Sequence, residues 1–137
     1  MDSEFRELSA REKGLVEKLV EAAGHERDQL RTQLNHLKGK QIEDDGTLLL
    51  QCLGGEPGKY TPVAEGVYKD ADGSDIAVLL HLGKDGFLSM LEIIKYVGSQ
   101  IINPPSAENL VLNNVPNVQV LGPGNYRTLP HPSSKHE

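Results

Sequence analysis

The sequence predicts an α+β protein: an N-terminal helical hairpin packed on an antiparallel meander sheet of about five strands, with a Pro-rich C-terminal tail. Three observations predict it. A serine-capped stretch with apolar residues at helical spacing opens the chain. Apolar runs separated by short Gly- and Asp-containing turns follow, which is the pattern of hairpins. Past 102 the composition shifts: residues 103–137 hold six of the eight prolines and only four Asp, Glu, Lys or Arg residues. The expected division is one α+β domain over 1–102 and a partly disordered tail over 103–137.

Residues 1–8 read as a lead-in. Ser9-Ala10-Arg11-Glu12 is a capping box, with serine at the N-cap and glutamate at N3. Leu15, Leu19 and Ala22 or Ala23, joined by Val16 and Val20, mark the buried face of an amphipathic helix. Gly14 weakens that helix by roughly 1 kcal/mol relative to alanine. Gly24 ends it. A second helix is expected over about His25–Lys38, on the narrow stripe Leu30, Leu34 and Leu37, with Gly39 as its stop.

The period then changes. Lys40–Glu43 and Thr47–Leu53 flank the turn Asp44-Asp45-Gly46. Gly54–Pro62 is a loop, Val63–Lys69 a weaker strand with Gly66 as a candidate bulge, and Asp70–Ser74 a turn. Asp75–Tyr96 is the most hydrophobic stretch and folds back on itself at Gly83-Lys84-Asp85-Gly86. Closing that turn pairs Leu82 with Phe87, Leu80 with Ser89, Val78 with Leu91 and Ile76 with Ile93. The opposite face carries Ala77, Leu79 and His81 against Glu92, Met90 and Leu88. Both faces are largely apolar, so the face away from the helices needs a cover: the tail, a second subunit or another protein. Within the tail, Val118–Leu121 reads as a short strand, and Arg127–Glu137 as disordered.

Composition excludes several functions. Net charge is −6, which disfavours a general nucleic-acid binder. Cys52 is the single cysteine, so no internal disulfide forms; this suits a reducing cytosol. No signal-peptide pattern and no membrane-spanning run is visible, so a cytoplasmic location is expected. No cofactor and no metal site is expected.

Each chemical candidate has a simpler reading beside it. Gly54–Thr61 departs from a phosphate-binding loop: Leu53 stands at its first glycine, Tyr60 follows Lys59, and no helix comes next. Asp70–Asp75 starts like a calcium loop, but His81 occupies the position that needs glutamate. A surface loop and an Asp-favoured turn account for both. The five histidines show no metal-ligand spacing. His81 and Glu92 are the one acid–base couple that falls on a shared face, as diagonal neighbours; the competing reading is a structural or interfacial histidine. Cys52 lies in an apolar run, where a thiol is inert. In a meander the turns Asp44–Asp45 and Asp70–Asp75 fall at one end. Glu43, Asp44, Asp45, Asp70, Asp72 and Asp75 then form an acidic rim, to be weighed against ordinary solvated turns.

Phe5–Val20, Ile76–Tyr96 and the Ile101-Ile102-Asn103-Pro104-Pro105 beyond it resemble a family of small bacterial α+β proteins of unknown function. Such domains recur among the immunity proteins of bacterial toxin systems. The resemblance spans about 5–105, and Val97-Gly98 departs from it where an Asp-Gly turn is expected. It implies a non-enzymatic role and assigns no site residue. The leading expectation is a cytosolic module that binds another protein, a basic one being the natural complement, through Asp44, Asp45, Asp70 and Asp72. The alternative is a homodimeric small-ligand binder or enzyme with a cleft near His81 and Glu92.

Overall fold

The computed structural model describes residues 1–24, 27–97, 100–113, 118–122 and 125–128. Its strands are β1 (Arg6–Glu7), β2 (Leu37–Gln41), β3 (Leu48–Cys52), β4 (Thr61–Lys69), β5 (Asp75–Leu82), β6 (Leu88–Lys95), β7 (Val111–Leu112), β8 (Val118–Gly122) and β9 (Asn125–Thr128). Its helices are α1 (Ala10–Glu21) and the single turn α2 (Arg27–Arg31).

The capping box forms as its spacing requires. Glu12 N–H donates to Ser9 Oγ at 3.2 Å, and Ser9 N–H donates to Glu12 Oε1 at 2.8 Å. Arg6 grips the same carboxylate with both terminal nitrogens, at 2.5 and 3.0 Å. Burial alone would raise the Glu12 carboxyl, but Arg6 and the Ser9 N–H outweigh it and hold it below the usual range. α1 buries Leu15, Val16, Leu19 and Val20 and lies against β4 and β5. Two residues past its cap, Gly24 turns the chain at φ 64°, a conformation glycine adopts freely.

The expected second helix over about His25–Lys38 is corrected to α2 and a 3₁₀ turn at Leu34–His36; His25 lies outside the described residues. Leu37 begins a strand instead. It pairs with Cys52, and Gly39 pairs with Leu50, so Leu37 and Gly39 share the core face. Leu30, Leu34 and Leu37 fit a helical stripe, but Leu37 and Gly39 also fit a period of two, and packing settles the choice. Gly39 is a seat rather than a stop: a Cβ there would lie 2.6 Å from Leu8 Cδ2.

The principal sheet has seven antiparallel strands, more than the about five expected, in the order β1-β2-β3-β6-β5-β4-β7. It is not a single meander. β3 pairs with β6, not with β4. The connection 53–60 carries the chain past the β5–β6 hairpin, fastened along the way. Glu56 N–H donates to Asp85 Oδ2 at 2.9 Å, and Gly58 N–H donates to Ser89 O at 3.1 Å. Gly55 lies so near Phe87 that a Cβ would fall 2.7 Å from the Phe87 Cβ. A Gly- and Pro-rich stretch reads as a surface loop in sequence; these cross-contacts are invisible there.

The central hairpin closes at Gly83–Gly86, with Gly83 N–H donating to Phe87 O at 2.8 Å. Its register differs from the expected one by two residues: Leu80 faces Leu91, Val78 faces Ile93 and His81 faces Met90. A bulge between His81 and Leu82 absorbs the offset and sets Leu82 opposite Leu88. A slip of two keeps each side chain on its face, so the face assignment survives over Ile76–His81 and Met90–Ile94; the bulge carries Leu88, expected on the opposite face, to the core with Leu82. The core joins α1, Leu30 and Leu37 to Ile76, Val78, Leu80, Leu91 and Ile93. On the opposite face Ala77, His81 and Met90 are buried, and Leu49, Leu79 and Ile94 are half-buried.

The sheet extends past residue 102, where composition placed the domain's end. Asn103 O accepts from the Tyr68 hydroxyl at 2.8 Å. Lys18 of α1 donates to Ala107 O and Leu110 O at 2.5 and 2.7 Å. Leu110 enters the core, and β7 pairs with β4 at Gly66 and Val67. The bulge of β4 falls between Pro62 and Ala64, not at Gly66. β8 and β9 form a separate two-stranded ribbon, with β8 against β4. The disorder expected for Arg127–Glu137 lies, beyond Thr128, outside the described residues.

Candidate binding surface

Acidic residues gather in two turns because Asp hydrogen-bonds its own backbone there. Thr47 N–H donates to Asp45 Oδ1 at 2.9 Å, and Gly46, at φ 98°, closes the β2–β3 turn. Ser74 N–H donates to Asp72 Oδ1 at 2.9 Å, and Gly73, at φ 86°, closes the β4–β5 turn. β3 and β5 are both antiparallel to β6, so they run in the same direction and start at the same end of the sheet. Both acidic turns therefore lie at that end, although the single meander that suggested it does not form.

The acids there are not equivalent. Asp70 is buried and engaged. Its carboxylate accepts N–H bonds from Ala71, Ile102 and Asn103 at 2.8–2.9 Å and the Lys95 ammonium at 2.9 Å. Burial would raise this carboxyl; the Ile102 N–H, Lys95 and the other donors outweigh it and hold it far below the usual range. Asp70 is thus a fastener for the chain at 102–103, not part of an exposed rim. Asp72 shares Lys95 at 2.9 Å, and that bond lowers its pKa first, the Ser74 N–H second. Lys69 pairs with Asp75 at 2.7 Å. Glu43 and Asp44 are exposed and Asp45 is half-buried; among the described residues none of the three has a cationic partner. They line an open cleft of about 560 Å³ with Lys95, Gln100 and Ile101.

Three exposed apolar residues stand at the same end and carried no signal in the sequence. Tyr96 is 65% exposed, Val97 70% and Ile102 59%. In sequence they read as the continuation of a hydrophobic strand and of a proline-containing segment. The exposure of Tyr96 and Val97 follows from β6 ending at Lys95, which no pattern marks.

His81 and Glu92 share a face as expected, and the observed register, with His81 opposite Met90, makes them diagonal neighbours across β5 and β6. Nε2 lies 2.9 Å from Glu92 Oε1, and Lys59 Nζ holds Glu92 Oε2 at 3.0 Å. A carboxylate only accepts, so Nε2 carries the proton. Nδ1 is then a bare lone pair, buried without a partner among the described residues. Burial pushes the imidazole pKa down, and Glu92 offsets this in part. Burial also raises the Glu92 carboxyl, but Lys59 and His81 hold it below the usual range. The His81 side chain is 3% exposed and that of Glu92 16%, so the imidazole is closed off while the carboxylate keeps a partly open edge beside Lys59. Cys52 is buried, and desolvation raises its thiol pKa, as an inert cysteine requires. Among the described residues no cluster of His, Cys, Asp and Glu has the makings of a metal site. None of their helices is long and apolar enough to cross a membrane.

These features define a small α+β protein, mostly antiparallel sheet, with an acidic end and a buried histidine paired to a partly exposed glutamate. A family model described as a domain of unknown function (DUF6984) matches residues 5–105, and the chain belongs to that family. Neither the curated proteins nor the solved structures give a match.

Proposed function

We propose that this chain is a non-enzymatic module that binds another protein, with the acidic end of the sheet as its contact surface. The observation that carries this reading is the open cleft of about 560 Å³ where Glu43, Asp44 and Asp45 lack cationic partners among the described residues. Unpaired exposed acids steer a basic partner and set its orientation. The burial of the His81 imidazole supports the same reading, since a general base must reach a substrate proton. An immunity-type role, with the acidic end covering a basic toxin's active site, is one form this function takes.

A photo-crosslinking side chain placed at Asp44, and separately at exposed Glu17 of α1, tests the proposal in the source cells. The expected result is a discrete heterologous adduct from position 44 and none from 17. Equal labelling from both positions, or an adduct of 44 only with a second copy of this chain, overturns it.

A further inference from the structure

The acidic end also carries an open groove of a different kind. Tyr96 and Val97 form one wall, and Asp72, Gly73, Ser74 and Asp75 the other, around a cleft of about 500 Å³. Ile102 stands beside the same turn, anchored through its N–H to Asp70 at 2.9 Å. We propose that this groove is the docking site for a basic polypeptide segment bearing an apolar side chain, the apolar group seated against Tyr96 and Val97 and the cations meeting the surrounding acids. The proposal rests on the binding-module reading above and names the chemistry of the partner.

Two independent features converge. The first is apolar exposure. Tyr96 and Val97 are adjacent and each about two-thirds exposed, at 65% and 70%. What sets the pair apart from the other exposed apolar residues is that both line one groove, rimmed by the polar turn at 72–75. Tyrosine is among the residues that dominate binding energy, because its ring buries much area while its hydroxyl stays hydrated.

The second is charge. Lys95 is taken up by Asp70 and Asp72, and Lys69 by Asp75. The end as a whole keeps its negative excess through Glu43, Asp44 and Asp45. A basic segment gains from this field at every point of approach. A second copy of the chain would present the same acids to each other, so like-charge repulsion disfavours a homodimer through this end. Nucleic acid is repelled for the same reason.

The test uses the full chain and two synthetic peptides, one Lys-rich with a single central Leu and one with Ser in its place. Backbone amide shifts map the site and calorimetry gives the affinity, at low and at physiological salt. The Leu peptide is expected to shift amides of residues 72–75 and 95–97. Replacing its Leu by Ser, or Tyr96→Ser in the protein, is expected to weaken binding about tenfold, with added salt weakening it further. Tyr96 is exposed, and the circular dichroism of the variant checks that the fold is kept. Binding that ignores both the Leu and Tyr96 overturns the inference, and so does the absence of shifts at these residues. Either failure leaves the crosslink from position 44 standing as a separate result.

Discussion

Leu110 occupies the space that a side chain at position 66 would need: a Cβ on Gly66 would fall 2.5 Å from Leu110 Cγ. β4 thus gives up a side chain so that the returning chain can enter the core. Gly66→Ala is expected to destabilise the protein by about 1–3 kcal/mol through overpacking. Leu110→Ala removes a fully buried leucine and is expected to cost about 2–5 kcal/mol. The double variant should lose less than the sum, because shortening the side chain at position 110 vacates the space that the new methyl at position 66 needs. Denaturant unfolding of the three variants measures this; strict additivity would mean the two positions do not compete.

Gly14 differs in kind. A Cβ there would meet Ala107 Cβ at 3.7 Å, an ordinary contact, in the interior of α1. Gly14→Ala should therefore stabilise by up to about 1 kcal/mol, raising the melting temperature by about 3–5 °C. A lowered melting temperature would show that α1 and the segment at 107 pack more closely than this distance implies.

Asp70 binds its proton less readily in the folded chain than in the unfolded one. Its contribution is therefore complete above the ordinary carboxylate value of about 3.9 and is lost as pH falls through the lower folded value. Asp70→Asn should flatten the acid limb of the stability curve and destabilise more than Asp72→Asn. The latter leaves Lys95 its buried partner. Equal losses from the two variants would remove Asp70 from its fastening role.

His81 has the same sign for a different reason. Protonation would place an N–H at Nδ1 where no acceptor waits among the described residues. The unfolded chain takes up that proton at about pH 6.5, the folded chain only at a lower pH, so stability declines as pH falls from about 6.5 toward the folded value. An NMR titration should put the His81 midpoint below the ordinary imidazole value. A midpoint at or above it would mean that Nδ1 finds a partner in solution.

Much of the fold is legible in the sequence where local chemistry decides structure. The Ser9–Glu12 box, the Gly46, Gly73 and Gly86 turns and the face assignment of Ile76–His81 and Met90–Ile94 all depend on residues close in sequence. The strand order is not legible, because it depends on what the 53–60 connection touches after it leaves β3. The extent of α2 is not legible either, because Leu37 satisfies two periods at once. The surface follows the same division. Asp44 and Asp72 sit where turn chemistry puts them, whereas the engagement of Asp70 by residues 102 and 103 is a long-range fact. That His81 and Glu92 share a face follows from alternation, but their contact depends on the two-residue change of register, and the burial of the imidazole depends on packing.

The joint between β3 and β6 has a kinetic meaning. It consists of two facing pairs, Leu48 with Leu91 and Leu49 with Met90, and beside them the Thr47 hydroxyl bridges to the backbone of Ile93, 46 positions along the chain. On one side of it lies a hairpin, β2–β3, and on the other a three-stranded unit, β4–β5–β6, each wired between sequence neighbours. Loop-closure entropy opposes the joint until both units exist. Assembly is expected to run from two quickly zipped halves to one late seam, and hydrogen exchange should show the amides along that seam opening before the rest of the central strands.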